Sequence, residues 1–214
     1  MKSVLLIGLG RFGTNVAQKL YELKHEVMAL DNDEARINEI LPIVTRAQIG
    51  NSTDIDLLKS IGVEDYDVCI VAIKDFADSL QTVSLLKELG AKAVVARAVS
   101  DIHEKFLLRN GADETVYPEK RLATWTAVCF TSNHVFDYIR LDDDHSIFEV
   151  AIPDEWNGKT VEQLAIRRKH GLNIMAIKEK NGLNMAITPD MVLTSDKHIL
   201  VLGSIKSIKK IFNI

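Results

Sequence analysis

The feature that most constrains this chain is a glycine pattern near its start. Gly8, Gly10 and Gly13 form a G-x-G-x-x-G that directly follows a short apolar stretch, Ser3–Ile7, and opens an amphipathic helical pattern. In this setting the first glycine permits a tight turn, the second lets the backbone approach a pyrophosphate, and the third allows close packing of helix on strand. The helix N-terminus adds amide donors and the positive end of a dipole. The pattern predicts a nucleotide-binding loop.

An acidic residue follows the glycine loop at a meaningful distance. A second apolar stretch leads to Asp31, eighteen residues beyond Gly13, where a carboxylate can accept hydrogen bonds from ribose hydroxyls. The alternative interpretation is a simple glycine turn with a capping aspartate. Together the loop and Asp31 predict a site for an adenine nucleotide. NADP is disfavoured because the charge of Asp31 repels a 2′-phosphate.

The first two thirds of the chain alternate short apolar stretches with amphipathic helical patterns. The stretches are apolar throughout rather than alternating, as expected of strands buried on both faces. Residues 1–118 therefore predict an α/β fold, a Rossmann-like doubly wound parallel sheet with helices on both sides. Asp54 and Asp101 are the expected N-caps of two of these helices. The predicted strands are Ser3–Ile7, Glu26–Leu30, Thr45–Ile49, Val68–Ile73, Ala93–Ala98 and Glu114–Val116.

The pattern changes after Pro118. Residues 119–139 predict crossover or linker helices, with a break near Ser132. Residues 140–214 predict a small α+β domain that is antiparallel in part. Within it we expect a helix over residues 161–169, and the pair Asn181-Gly182 predicts a hairpin turn.

Composition excludes several classes of protein. The 214 residues include 26 Lys and Arg against 30 Asp and Glu, a net charge of −4, so binding of nucleic acid by phosphate neutralisation is not expected. The apolar stretch Val68–Ile73 is far shorter than the ~20 residues that cross a bilayer. Cys69 and Cys129 are far apart in sequence and indicate neither a disulfide framework nor a zinc site. These features predict a cytoplasmic protein.

No catalytic residues are predicted. An NAD-dependent oxidoreductase is the alternative function that a nucleotide-binding sheet leaves open, but it needs a general acid or base beside the cofactor. Both cysteines are expected to be inert core residues. The histidines are scattered without a convincing acidic or basic partner, and each is interpreted as a surface or turn residue: His25, His103, His134, His145, His170 and His198.

Two arginines lie where phosphates are expected. Arg11 follows the second glycine of the loop and could reach an extra phosphate or a nucleotide in a neighbouring subunit. Its alternative role is that of a solvated arginine on the first helical turn. Arg97 ends the fifth predicted strand, and Glu119 follows the sixth. Ligands of this fold gather at the carboxyl ends of the strands, which places both residues at the correct edge of the sheet.

Several motifs, in order along the whole chain, make the sequence resemble one family. It is similar to the KtrA/TrkA-type regulatory subunits of bacterial Ktr/Trk potassium uptake systems, which are built from RCK (regulator of potassium conductance) domains. The motifs are the glycine loop 8–13, the turn 24–27 before Asp31, Asn51-Ser52-Thr53, Val71-Ala72-Ile73, Gly111-Ala112-Asp113, Tyr117-Pro118-Glu119-Lys120, the stretch 144–149 and the stretch 169–177.

The resemblance implies an N-terminal RCK domain that binds ATP/ADP or NAD/NADH. It implies that Arg11 approaches the terminal phosphate of a nucleotide in the adjacent subunit and that Arg97 stands where many relatives have a lysine near the phosphates. Glu119 matches a glutamate associated with Mg²⁺ or Na⁺ at a dimer interface. The implied nucleotide site comprises Gly8, Gly10, Arg11, Phe12, Gly13, Asp31, Asn32, Asn51, Ser52, Thr53, Ala72, Ile73 and Arg97.

For residues 140–214 the resemblance implies a TrkA-C domain. Some relatives bind cyclic di-AMP there between two subunits, and the matching positions are Arg167, Asn173, Ile174 and Pro189. Ala165 departs from the aspartate that is common beside that arginine. The family further implies a homodimer that assembles into an octameric ring, peripheral to the inner face of the cell membrane. Such a ring gates a membrane potassium channel or transporter subunit and is not an enzyme.

Overall fold

Six parallel strands form the sheet of the N-terminal half, in the order β3-β2-β1-β4-β5-β6. This order reverses between β1 and β4, so the carboxyl ends of these two strands flank a crevice. The computed structural model describes residues 1–212, which divide into two compact units at Glu119. The strands are β1 (Ser3–Ile7), β2 (Glu26–Asp31), β3 (Arg46–Ile49), β4 (Val68–Val71), β5 (Val94–Arg97) and β6 (Glu114–Val116).

Helices follow the strands and cover both faces of this sheet. Leu5 and Ile7 of β1 face one apolar core, whereas Leu6 packs into a second core with α1 and α2. Burial on both faces explains why the strands are apolar throughout, and it confirms the predicted doubly wound fold. The helices are α1 (Arg11–Glu22), α2 (Glu34–Ile40), α3 (Ile55–Ile61), α4 (Phe76–Glu88), α5 (Asp101–Arg109) and α6 (Pro118–Thr131).

Side-chain caps begin several of these helices. Asp54 caps α3 as predicted, since its carboxylate accepts from the N–H groups of the first turn. The prediction for α5 is wrong by one residue. Ser100 has extended backbone and its hydroxyl accepts from the His103 N–H at 3.1 Å, so Asp101 becomes the first helical residue. A carboxylate there still complements the positive end of the helix dipole.

The predicted linker helices over residues 119–139 are half right. Helix α6 begins at Pro118, because a proline at the first helical position sacrifices no hydrogen bond. The helix ends at Thr131. Residues 135–139, predicted as helix, lie in strand β7 (Val135–Arg140), which pairs antiparallel with the next strand. Pairing across the sheet and burial of Val135 outweigh the local helical pattern.

The second unit begins at Lys120 and is built on an antiparallel sheet with the order β10-β9-β11-β8-β7. Its core includes Phe148, Val150, Ile199 and Val201. This confirms a small α+β domain. The remaining elements are β7 (Val135–Arg140), β8 (His145–Ala151), α7 (Val161–Leu164), α8 (Ile166–His170), β9 (Asn173–Glu179), β10 (Gly182–Asn184), β11 (His198–Ser204) and α9 (Ile205–Phe212).

Two local predictions in this unit differ from the structure. The helix predicted over residues 161–169 is interrupted at Ala165, whose backbone is left-handed with φ of 47°. This bend keeps both Leu164 and Ile166 in the core. The hairpin loop is Lys180-Asn181, because Gly182 already pairs with Glu179. Across residues 1–212, no helix is both long and apolar enough to span a bilayer.

Candidate functional site

A cavity of about 430 Å³ opens at the carboxyl ends of β1, β2, β4 and β5. It lies at the point where the strand order reverses, the usual ligand site of this fold. The structure brings the predicted nucleotide-site residues together there, except Phe12, Gly13 and Thr53, which do not line the cavity. The lining residues are Ile7, Gly8, Gly10, Arg11, Leu30, Asp31, Asn32, Arg36, Gly50, Asn51, Ser52, Ala72, Ile73, Lys74, Asp78 and Arg97.

The three glycines of the loop differ in what a side chain would meet there. Gly8 has φ of 93°, and a Cβ there would lie 3.1 Å from the carbonyl carbon of Ala72. A Cβ at Gly13 would lie 1.9 Å from the carbonyl oxygen of Gly8, so only glycine lets α1 pack this closely on the loop. A Cβ at Gly10 would meet no atom within 4 Å. Gly10 therefore leaves open space that a bound group can occupy.

Asp31 is buried and holds the glycine loop in place. One carboxylate oxygen accepts from the Leu9 N–H at 2.6 Å, and the other accepts from the Asp33 N–H at 2.9 Å. Each carboxylate oxygen can accept more than one hydrogen bond, so a sugar hydroxyl in the cavity can still donate to Asp31. The favoured prediction assigned Asp31 to the ribose and the alternative made it a capping residue, and the structure shows that its carboxylate bonds backbone N–H groups of the loop and of Asp33.

Three charged residues line the cavity that sequence reasoning missed. Arg36 on α2 places Nη1 3.6 Å from Oδ2 of Asp31, which offsets part of the charge of that buried carboxylate. Lys74 and Asp78 follow strand β4. The position of Lys74, directly after a predicted apolar strand, was a usable signal. No sequence signal pointed to Arg36, because its approach to Asp31 depends on where helix α2 packs in the fold.

Arg97 is a buried cation beside the cavity, with a side chain only 5% exposed. Its Nη2 donates to the carboxylate of Glu119, and its guanidinium carbon lies 5.4 Å from the centre of the Phe12 ring. Phe12 thus supports Arg97 instead of lining the cavity. The Nε of Arg97 is buried and has no partner within residues 1–212. A guanidinium that is desolvated and incompletely paired favours the approach of an anion.

Glu119 is more than half exposed and pairs with Arg97. The resemblance implies a Mg²⁺ or Na⁺ ion beside Glu119 at a dimer interface. Within a single chain Arg97 already provides that positive charge. The described residues contain no group of three or more His, Cys, Asp or Glu side chains that could hold a metal ion.

Arg11, at the first position of α1, is exposed and lines the cavity. Its side chain forms no hydrogen bond or ion pair with any residue in the range 1–212.

Ser52 is buried, and its hydroxyl lies 2.8 Å from that of Thr82. The Thr53 N–H donates to Oδ1 of Asn51, and Asn51 lines the cavity.

Two histidines contradict the interpretation of all six as surface or turn residues without a convincing partner. His198 lies in strand β11, and its Nδ1 is 2.9 Å from Oε1 of Glu149. His103 is fully buried, with Nε2 2.7 Å from the Ser79 hydroxyl. Its Nδ1 accepts from the Val99 N–H, so the ring proton is on Nε2 and is donated to Ser79. Burial lowers the pKa of His103 and keeps it neutral.

Burial raises the pKa of the Cys69 thiol to about 12, which agrees with the prediction that Cys69 is an inert core residue.

The second unit has its own cavity of about 570 Å³ beside α7 and α8. Arg167, Asn173 and Ile174 line it, three of the four positions that the resemblance implies for cyclic di-AMP. Pro189 does not line it. The Pro189 carbonyl accepts from the Glu162 N–H at 2.9 Å, and this hydrogen bond connects Pro189 to α7, which lines the cavity. Arg167 and Asn173 are exposed.

The strand order, the glycine loop and the acidic residue at the end of β2 define a nucleotide-binding Rossmann fold. The TrkA-N domain family matches residues 4–118, and the TrkA-C domain family matches residues 146–214. The chain belongs to the family of TrkA-type potassium uptake proteins.

Relatives from Bacillus subtilis (strain 168) match over nearly the whole length. The chain is 39% identical to the Ktr system potassium uptake protein C, over 98% of this chain and 95% of that protein. It is 32% identical to the Ktr system potassium uptake protein A, over 99% of this chain and 96% of that protein. The structure of the GsuK channel bound to NAD is similar in fold, with a TM-score of 0.69 and 18% identity, over 96% of this chain and 38% of that one.

Proposed function

We propose that this protein is a non-enzymatic subunit that senses an adenine nucleotide and gates a membrane potassium channel or transporter of the Ktr/Trk type. The observation that carries the proposal is the buried, incompletely paired Arg97 beside the glycine loop. A cation held in this way contributes little as a purely structural group, because desolvation of an unpaired donor is costly. A phosphate in the cavity satisfies it.

The ligand is ATP or ADP, or the dinucleotide NAD or NADH. The neighbouring fold of the GsuK channel bound to NAD supports a dinucleotide, and the single ribose-facing carboxylate of Asp31 serves all four. Calorimetric titration of the full-length protein with ATP, ADP, NADH and NADPH tests the proposal. We expect saturable binding of at least one of the first three and the weakest binding of NADPH. Absence of binding by all four at millimolar concentration contradicts it.

Arg11 is proposed as the group that distinguishes ATP from ADP. Its side chain is exposed at the cavity and unpaired in residues 1–212, so it can contact a third phosphate of a nucleotide held by an adjacent subunit. A ligand shifts a conformational equilibrium only by binding one state more tightly. Arg11→Ala should therefore bind ADP normally but lose the shape difference between ATP and ADP forms in small-angle scattering. Lys19→Ala, on the same helix, is the control that should retain it.

The assembly is proposed to be a homodimer that forms an octameric ring at the cytoplasmic side of the membrane, against its channel or transporter subunit. Two copies of Glu119 brought together in such a dimer would need a cation, Mg²⁺ or Na⁺, beyond the Arg97 that each chain supplies. Analytical ultracentrifugation with ATP, with and without Mg²⁺, tests this. We expect a particle of eight chains whose stability increases with Mg²⁺. A monomer under all conditions contradicts the ring.

The second unit is proposed to bind cyclic di-AMP between two subunits, with Arg167 donating to a phosphate through its planar guanidinium. Arg167→Ala should abolish saturable binding of labelled cyclic di-AMP. Lys169→Ala is the matched control, because Lys169 lies on the same helix but does not line this cavity. If the unmodified protein fails to bind cyclic di-AMP at tens of micromolar, this ligand is wrong and the proposed nucleotide site is unaffected.

A further inference from the structure

The second unit contains another cavity, of about 520 Å³, that the proposed function does not use. It lies between helices α6 and α9 and the inner face of the sheet at β7 and β8. It shares no residue with the cavity beside Arg167. Its lining residues are Thr124, Ala127, Val128, Thr131, Ser132, Tyr138, Arg140, Asp143, Ser146, Phe148, Ile205 and Lys209.

Ser146 is the unusual residue of this lining. It has no exposed surface and lies on the inner face of β8, the same face as Phe148. Its hydroxyl has no hydrogen-bond partner in the described part of the chain. By contrast, the hydroxyls of Thr124 and Thr131 donate to backbone carbonyls one turn earlier in α6, at 2.8 Å and 2.6 Å. Buried hydroxyls are normally satisfied, so Ser146 points to a missing partner in the cavity.

Other side chains indicate what kind of molecule that partner is. Tyr138 and Phe148 stack with ring centres 5.2 Å apart and give the cavity an aromatic wall. Arg140 is held by Asp143 and by the carbonyl of Asp142. Lys209 forms no ion pair with any residue between 1 and 212. The lining therefore offers an apolar wall, one unsatisfied hydroxyl and one available positive charge.

Helix α6 covers this cavity without filling it. None of its side chains is fully buried, and only Val128 and Cys129 pack partly against the core of the second unit. The residues of α6 that line the cavity are Thr124, Ala127, Val128 and Thr131, and the hydroxyls of both threonines are already bonded. Space of this volume, lined mainly by apolar groups with a few polar ones, is typical of a small-molecule site.

We propose that this cavity binds a flat amphipathic organic anion, such as an aromatic carboxylate. Its ring lies along Tyr138 and Phe148, a polar atom accepts the hydrogen bond of Ser146, and its acidic group is attracted to Lys209. A purely apolar occupant leaves Ser146 and Lys209 unused, and a cation is repelled by Lys209.

The test uses 8-anilinonaphthalene-1-sulfonate as a fluorescent probe, added to the full-length protein with saturating ADP so that the nucleotide cavity is blocked. We expect saturable binding of one probe per chain. Lys209→Gln should weaken binding at least fivefold. Lys206→Gln is the matched control on the same helix, because Lys206 does not line the cavity, and it should leave binding unchanged.

Ser146→Ala gives a second signature that a structural role alone does not produce. Loss of an unsatisfied buried hydroxyl should raise the melting temperature of the ligand-free protein, while binding of the probe weakens. Ala127→Phe should occlude the cavity and abolish binding, with its melting temperature measured to show that it folds.

Three outcomes overturn the proposal. The first is the absence of saturable binding, and the second is binding that Lys209→Gln and Ser146→Ala both leave unchanged. The third is a crystal structure in which side chains of a second copy fill the cavity. Competition with 1-naphthoate and decanoate then tests the aromatic assignment, since naphthoate should displace the probe at a concentration at least fivefold lower. Equal potency of decanoate contradicts the aromatic assignment.

Discussion

The cavity beside the glycine loop and the cavity beside Arg167 are built in different ways. In the first, the charged groups that matter, Asp31 and Arg97, are buried and fixed by neighbours in the same chain. In the second, Arg167 is exposed on a helix of five residues. A fold that fixes its charges before the ligand arrives loses less entropy on binding. The first cavity therefore has its buried charged groups fixed within one chain, whereas Arg167 in the second is not fixed in this way.

The difference originates in the two sheets. In the parallel sheet, strands end side by side at one edge, and the loops that follow them bring Gly8, Asp31 and Arg97 together. In the antiparallel sheet, neighbouring strands end at opposite edges, and the residues around Arg167 come from α7, α8 and the start of β9. The following predictions test this contrast, beginning with the largest expected effect.

Substitution at Gly13 should damage the first site through the fold itself. In Gly13→Ala the new Cβ meets the carbonyl oxygen of Gly8, and backbone on both sides must move, at a cost of about 3 kcal/mol or more. We expect a large fall in melting temperature and loss of nucleotide binding. Gly10→Ala is the control, because its Cβ meets no protein atom. It should melt normally yet bind nucleotide at least tenfold more weakly, and normal binding would show that no ligand approaches Gly10.

Arg97→Met should separate binding from stability. Removal of a charged donor to a phosphate should weaken nucleotide binding by about 1.5–3 kcal/mol. The folded protein should lose little stability, since a methionine fills similar space without a buried unpaired group. Arg168→Met, in the second cavity, should change stability by less than about 0.5 kcal/mol and leave nucleotide binding unchanged. Similar effects of both variants on nucleotide binding would remove the contrast between the two cavities.

Glu119→Gln should have a smaller effect of opposite sign. Glu119 occupies Nη2 of Arg97, so its neutralisation should free that donor and tighten ADP binding severalfold in calorimetry without added metal. Because the Glu119 side chain is more than half exposed, Glu119→Gln should fold normally, and its melting temperature serves as the check. Weaker binding of ADP under these conditions would show that Glu119 assists the nucleotide instead of competing with it for Arg97.

The sequence predicted those features that depend on local pattern. Strands β1 and β6 have the bounds expected from their apolar stretches, and the glycine loop leads into a helix as predicted. The reason is that a parallel strand is buried on both faces and its sequence shows it. The roles of Gly8 and Gly13 also follow from local geometry.

Features that depend on distant contacts were missed. Strand β7 lies largely in a stretch that was predicted as helix, but it is held by pairing with β8. The Arg97–Glu119 pair joins residues that are 22 positions apart, and its formation requires β5 and α6 to be in place. The orphaned hydroxyl of Ser146 is invisible in sequence, because a serine in a strand is normally satisfied. The interactions that determine ligand chemistry are thus less predictable than the fold that holds them.

The smallest expected effect concerns His103, whose burial in the first unit should make that unit sensitive to acid. Burial lowers its pKa in the folded protein, and the nearby charge of Asp75 opposes this only partly. Between the unfolded pKa of about 6.5 and the lower folded value, the unfolded chain binds a proton that the folded chain does not. Stability should therefore fall as pH drops below about 6.5 and level off below the folded pKa.

His103→Gln should flatten the dependence of melting temperature on pH between about 6.5 and 5, above the range in which carboxylates titrate. His134→Gln is the matched control, because His134 is exposed and should leave the slope unchanged. Titration of the His103 ring protons by NMR gives an independent measurement, and their signal should change at a pH below about 6.5. A His103 pKa at or above 6.5 would mean that the Ser79 contact opens in solution. The buried contact between His103 and Ser79 of α4 would then be less rigid than the nucleotide cavity, which α4 borders through Asp78.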